Sequence, residues 1–219
     1  MPAPERTSER PAPIADLVRE SAAFGVTLSG IAITRFQSYI DTLILWRSRL
    51  SLTSAATPQQ VVRDHIVDSL PLCRFIQPGM CIADLGSGAG FPGIPLAIAC
   101  ESARVSLVES RRKKANFLRE VVRSARLANV EVIEERAERL ADNVTRRWDL
   151  VVSRAVWPLA DFLAVSERIL VRGGLAIAMK GPKASGETLA DRGSFVPAGI
   201  VQYELTTGAR HRLIVYRRL

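Results

Sequence analysis

The chain has 219 residues, 47% of them apolar, and a net charge of +8. That length suits one domain with a full core, and the positive balance makes a polyanion the natural partner. The chain lacks a run of about 18 apolar residues and a C-x-x-C pair among its three cysteines, which excludes a membrane span and a disulfide framework and points to a cytoplasmic protein. Lys stands only at 113, 114, 180 and 183, so Arg supplies nearly all of the 30 cations. Arg forks match phosphate oxygens, although a genome rich in Arg codons would produce the same excess.

Residues 1–13 are Pro-rich and charged and are expected to form an unstructured tail. A short helix is predicted over Ile14 to Phe24, ending at Gly25. Ser29 is the expected N-cap of a longer helix to about Arg49, with Phe36, Tyr39, Ile40, Leu43, Trp46 and Leu50 at helical spacing. Thr57-Pro58 opens another helix, which carries His65 and leads through Asp68 and Ser69 to a turn at Pro78-Gly79. These pieces make residues 14–78 an N-terminal helical extension and 79–219 the main domain.

That domain begins with Met80 to Gly93, an apolar strand stopping at Asp84 and followed by glycines at 86, 88, 90 and 93. A helix is predicted from Phe91 to Ala99. Strand and helix then alternate: strands over Arg104–Glu109, Val130–Glu134, Asp149–Ser153 and Leu175–Met179, with helices over Arg111–Arg126 and Pro158–Leu170. The last of these strands, the fifth of the domain, follows a Gly173-Gly174 turn. Ile200–Leu205 and Arg212–Tyr216 read as a closing antiparallel pair. The order predicts an α/β fold, an open and mostly parallel seven-stranded sheet with helices on both faces.

In such sheets ligands bind beyond the carboxyl ends of the strands, where the strand order reverses. Gly88 to Gly93 fits G-x-G-x-x-G, and a dinucleotide site is one reading. A dinucleotide would place its pyrophosphate against backbone N–H groups, beside which Asp84 is a poor neighbour. S-adenosylmethionine carries a sulfonium and an ammonium and no phosphate, and suits Asp84 better. Glu109 ends the next strand and can accept ribose hydroxyls with either cofactor. Ala137 and Glu138, after the third strand, can read an adenine edge, or Glu138 is a surface helix acid. Arg154, after the fourth, is a cofactor or substrate contact or a structural ion pair. Arg111, Arg112, Lys113, Lys114, Lys180 and Lys183 are placed at the same rim and read either as candidate RNA phosphate contacts or as a solvated basic face.

These residues carry a family resemblance. Asp84-Leu-Gly-Ser-Gly-Ala-Gly-Phe-Pro-Gly-Ile-Pro-Leu96 closely resembles the signature of the ribosomal RNA small-subunit methyltransferase G (GidB) family. So do His65-Ile-Val-Asp-Ser69, Leu107 to Lys114, Phe117-Leu118, Ala137-Glu138, Ser153-Arg-Ala155 and Met179-Lys-Gly181. The chain departs from the family at Trp46-Arg-Ser-Arg-Leu-Ser-Leu-Thr53, where W-N-x-x-x-N-L-T is common, and at Asp64, where Arg often stands.

The resemblance implies a Rossmann-like class I methyltransferase fold. It also implies methyl transfer from S-adenosylmethionine, with S-adenosylhomocysteine as product, to guanine N7 in the 16S decoding-region loop linked to streptomycin response. Carried over by position, it places cofactor contacts at Gly86, Phe91, Ala137, Glu138 and Arg154. The class pattern adds Asp84, Gly88 and Glu109.

Guanine N7 has a lone pair and no proton, so catalysis by positioning is expected and a catalytic base is not. His65 with Asp68 and Ser69 is read as a brace beneath the glycine loop. Metal-ligand spacing is absent, and the expected state is a metal-free monomer acting on 16S rRNA or the small subunit. An NAD(P)-dependent reductase and a non-catalytic S-adenosylmethionine-binding module remain as alternatives.

Overall fold

The computed structural model describes residues 12–143, 147–154, 157–182 and 189–219. Lys183 and Ala155, both singled out above, and most of the expected tail lie outside them. The chain begins with α1 (Ala12–Ala23) and α2 (Gly30–Leu50). Ser29 caps α2, its Oγ accepting the Ala32 N–H at 3.1 Å. A continuous helical segment follows and changes its winding along its length. It comprises α3 (Pro58–Val61), a π turn (Val62–Ile66), α4 (Val67–Ser69) and a 3₁₀ stretch (Leu70–Phe75). Thr57 and Gln60 form a reciprocal capping box at its start, with Pro58 in the first turn.

The sheet alternates β1 (Cys81–Leu85), α5 (Gly93–Ala99), β2 (Arg104–Val108), α6 (Arg112–Ser124), β3 (Val130–Ile133) and α7 (Ala137–Asn143). It continues with β4 (Trp148–Arg154), α8 (Leu159–Ile169), β5 (Leu170–Lys180), β6 (Phe195–Glu204) and β7 (Arg210–Arg218). Strand order is β3-β2-β1-β4-β5-β7-β6. The first five strands are parallel, and β7 runs antiparallel to both β5 and β6. The order reverses between β1 and β4, which places the ligand crevice of this class above the end of β1.

Two cores sandwich the sheet. On one face Phe36, Tyr39 and Leu43 of α2 pack with Phe117 and Leu118 of α6 and with Ile82 and Leu107 of the sheet. The other face buries Leu159, Phe162 and Leu163 of α8 against Ala83, Val151 and Tyr216. The segment at 14–78 therefore contributes to the same core as the sheet. Helix α6 follows its amphipathic pattern, with Ala115, Phe117, Leu118 and Val121 buried.

Several boundaries differ from expectation. Ala12 and Pro13 belong to α1, because Pro is tolerated in a first turn. Strand β5 begins at Leu170, five positions before the expected Leu175. Trp148 pairs with Leu170 and Leu150 with Leu175, so the Gly173-Gly174 turn bulges out of one continuous strand. The closing hairpin extends beyond its apolar centre on both strands. Its outer strand tolerates Pro197 because an edge position leaves one side of the backbone free. Cys73, Cys81 and Cys100 are free thiols and only half-buried.

Candidate functional site

The glycine loop turns the chain from β1 into α5. Gly93 sits where α5 meets the sheet, and an added Cβ there would lie 2.3 Å from Leu107 Cδ2 and 2.7 Å from Asp84 Oδ2. Gly88 has φ +57° and open space around it, with Gly86 O at 3.7 Å as nearest neighbour of an added Cβ. One glycine is thus required by packing, the other by backbone conformation.

Most of the loop's N–H groups already have partners. Gly86 and Ser87 donate to Val108 O at 2.9 and 3.1 Å, and Gly90 donates to Ser87 O at 2.7 Å. Gly88 donates to Glu109 Oε2 at 2.9 Å and Gly93 to Asp84 Oδ2 at 3.0 Å. The extension braces the loop from below: the buried Tyr39 hydroxyl donates to Ala89 O at 2.7 Å.

A cavity of about 340 Å³ opens beside this loop. It is lined by Gly86 and Gly88, by Val108 through Arg111 and Lys114 after β2, by Glu135 through Glu138 after β3, and by Trp157. Its size is that of a small-molecule site, and it sits at the reversal of strand order. Glu109 is 6% exposed. Its Oε1 accepts the Arg111 N–H at 2.8 Å while Oε2 holds Gly88. Each carboxylate oxygen has a second lone pair, so Glu109 can still accept one further donor at each.

Asp84 does not line this cavity. It is fully buried behind the loop, with Oδ2 on Gly93 and Oδ1 without a partner. Burial pushes its pKa up to about 7 against the opposing pull of Gly93, Ser87 and Arg154, with Glu109 adding to the rise.

Phe91 and Arg154 are likewise absent from the cavity lining and belong to an adjoining cluster. The Phe91 ring lies 5.6 Å from Tyr39 and 4.8 Å from His65 between centroids, and the Arg154 guanidinium sits 4.9 Å above it. Arg154 Nη1 donates to His65 Nδ1 at 3.2 Å and pairs with Asp68 Oδ2 at 3.4 Å. Burial and the neighbouring Arg154 charge hold the His65 pKa down at about 4. The neutral ring accepts at Nδ1, so its Nε2–H donates to Thr53 Oγ1 at 2.6 Å. His211 joins the same cluster: its Nδ1 lies 2.7 Å from Asp68 Oδ1.

Of the basic residues, Arg111 and Lys114 line the cavity and Arg112 and Lys113 are exposed on the first turn of α6. Lys180 ends β5, its Nζ 3.5 Å from Trp157 O. Sequence reasoning missed Trp157, Glu135, Arg136, Tyr39, Tyr203 and His211. Position alone could have found Trp157, an aromatic just past a strand's carboxyl end. Tyr39 also carried a signal, since a hydroxyl in an apolar stripe needs a buried acceptor.

Comparison with known proteins bears on this arrangement. Residues 32–215 match the family described as rRNA small subunit methyltransferase G (GidB). A ribosomal RNA small subunit methyltransferase G from Xylella fastidiosa (strain 9a5c) is 39% identical over 193 residues, 87% of this chain and 90% of that one. Its counterpart from Desulfitobacterium hafniense (strain Y51) is 36% identical over 197 residues, covering 87% and 82%. Among solved structures, precorrin-6y C5,15-methyltransferase from Geobacter metallireducens superposes with a TM-score of 0.52 at 16% identity. That match covers 78% of this chain and 95% of the other, a likeness of fold alone.

Proposed function

The chain belongs to the rRNA small subunit methyltransferase G family, and from that premise we propose that it transfers a methyl from S-adenosylmethionine to N7 of a guanine in the decoding-region loop of 16S rRNA. The observation that carries the cofactor assignment is how the loop amides are used. Five of them are bound within the protein, which leaves a pyrophosphate few of the N–H groups it would need. The cavity instead presents Glu109, Glu135 and Glu138 as acceptors. The unpartnered, buried Asp84 Oδ1 behind the loop fits a cationic ligand nearby.

In this reading Glu109 spends its remaining lone pairs on ribose hydroxyls. Gly86 and Gly88 let the backbone approach, and Ala137 with Glu138 takes the adenine edge. Asp84 acts by charge from behind the loop rather than by contact. Arg154, seated on Phe91, completes the cofactor set. The cofactor, when bound, supplies an electrophilic methyl on sulfur. Guanine N7 offers a lone pair and no proton, so the side chains only position the reactants and exclude water. His65, neutral and engaged at both nitrogens, is a brace in this reading and takes no proton from the substrate.

Arg111, Arg112, Lys113, Lys114, Lys180 and Lys183 are proposed to hold RNA phosphates. Residues 79–219 form the catalytic domain and 14–78 its brace. The protein acts as a cytoplasmic monomer on 16S rRNA or the small subunit. Among the described residues no helix is long and apolar enough to cross a membrane. The test is incubation with methyl-labelled S-adenosylmethionine and 30S particles, or their naked RNA, lacking this modification. Label at a guanine N7 is expected. Absence of transfer to either substrate would overturn the activity, and label on another atom would overturn the target.

A further inference from the structure

Asp68, 3% exposed, collects donors from two distant parts of the chain. Its Oδ1 accepts the Tyr203 hydroxyl and the His211 Nδ1–H, both at 2.7 Å and both from the β6–β7 hairpin. Its Oδ2 faces Arg154 Nη1 at the end of β4. Burial pushes the Asp68 carboxyl up, and the combined pull of His211, Arg154 and Tyr203 more than reverses it, leaving an ionised group below its ordinary range. Tyr203 is held in turn by an edge contact with Phe24 of the extension, 6.0 Å between ring centroids. The hairpin is already docked by the ladder of β7 on β5, so the fold does not need a buried charge here. Buried ion pairs add little stability over apolar packing of equal volume.

Arg154 does not line the cavity, but it is the member of the cluster that stands at a strand's carboxyl end, with its side chain 21% exposed. It ends the strand next to β1, at the reversal of strand order. His65 and Asp68 engage Nη1, while Nε and Nη2 make no hydrogen bond among the described residues. Those N–H groups suit an acceptor. The N7 edge of guanine is a poor candidate, because methyl transfer brings a positive charge onto the purine and a guanidinium there would oppose it. The carboxylate of the cofactor's amino-acid end has the matching charge and fork geometry.

We infer that Asp68 is a positioning residue for Arg154, and that Tyr203 and His211 of the C-terminal hairpin orient Asp68 so that the Arg154 fork meets the cofactor carboxylate. This rests on the S-adenosylmethionine reading above. It ties the last two strands, which lie far from the cavity in sequence, to cofactor affinity.

The test compares Asp68→Asn, Tyr203→Phe, His211→Leu and His211→Asn in the full chain. Affinity for S-adenosylhomocysteine is measured by calorimetry and affinity for a 16S RNA fragment by filter binding, both well below each variant's Tm. Positioning predicts that Asp68→Asn, Tyr203→Phe and His211→Leu weaken S-adenosylhomocysteine binding about tenfold and leave RNA binding within about twofold. His211→Asn, which retains an N–H near the Nδ1 position, recovers most of the loss. Folded variants with unchanged S-adenosylhomocysteine affinity would overturn the inference, as would equal losses for both ligands. Tyr203→Phe keeps the ring contact with Phe24 and decides the matter should Asp68→Asn not fold. Failure of the unmodified protein to bind S-adenosylhomocysteine would instead reject the cofactor assignment itself.

Discussion

At the scale of single residues, two glycines separated by one turn of chain do different work. Gly93→Ala forces a Cβ into Leu107 and Asp84 at the junction of α5 with the sheet. Overpacking there is expected to cost about 2–3 kcal/mol, read as a lowered midpoint in urea. Gly88→Ala meets no atom closer than 3.7 Å and only strains a left-handed backbone, at about 1 kcal/mol. Its Cβ, however, stands at the cavity, so S-adenosylhomocysteine affinity should fall more than stability does. Equal stability losses in the two variants would contradict this division.

Asp84 makes a second residue-level prediction. With a pKa near 7 it is about half protonated at neutral pH. A sulfonium arriving in the adjacent cavity favours the carboxylate, so binding should release up to about half a proton at pH 7. Calorimetry in buffers of different ionisation heat measures that release directly. S-adenosylhomocysteine lacks the sulfonium charge and should release less, and Asp84→Asn should release none. Identical release by all three pairings would show that Asp84 does not sense the ligand.

At the scale of elements, the basic residues at the start of α6 fall into two surroundings. Arg111 and Lys114 line the cavity, whereas Arg112 and Lys113 are exposed. Replacing Arg112 and Lys113 by Ala should reduce the slope of log affinity for RNA against log salt by about 0.7–0.9 for each phosphate that the protein no longer neutralises. Cofactor affinity should not change. Replacing Arg111 and Lys114 should change both. An unaltered salt slope in the first pair removes this face from the RNA footprint.

The elements also mark where the sequence was readable. Strong local signals placed α2, α6 and β1 within a residue or two: a Ser29 cap, an apolar stripe, a buried run before glycines. The ends of β5 and of the hairpin were not readable, because pairing with a neighbour extends a strand past its apolar centre. The cavity's glycine loop, Glu109, Ala137 and Glu138 were legible as cavity lining because each lies within a few residues of a strand end in the chain. The Asp68 cluster was not, because Tyr203 and His211 reach Asp68 only through the sheet order, 135 residues separating Tyr203 from its acceptor. Arg154 was legible as a residue needing a partner, but its partner was not.

At the scale of the whole molecule, two buried groups with opposite shifts add opposing terms to the response of stability to mild acid. Asp84 is raised to about 7 and His65 lowered to about 4. For Asp84, between its ordinary value near 4 and 7, the folded state holds a proton that the unfolded state has lost. Its stabilising contribution is therefore complete at low pH and fades as pH rises through 7. For His65, between 4 and its ordinary value near 6.5, the unfolded state holds the proton and the folded state does not. Its contribution is complete above 6.5 and fades as pH falls through 4. Each slope is at most about 1.4 kcal/mol per pH unit, and between pH 4 and 6.5 the two oppose each other. Asp68 is shifted downward, so its own loss falls below this window. Thermal unfolding across pH 4 to 6.5 should therefore show a Tm nearly independent of these two groups in the unmodified chain. Asp84→Asn, which mimics the neutral acid, removes the falling term, and its stability should climb with pH through the window. His65→Gln removes the rising term, and its stability should decline up to about pH 7. Parallel pH profiles for all three proteins would mean that neither group is held away from its ordinary titration. The neutral His65 and the raised Asp84 pKa would then both be wrong.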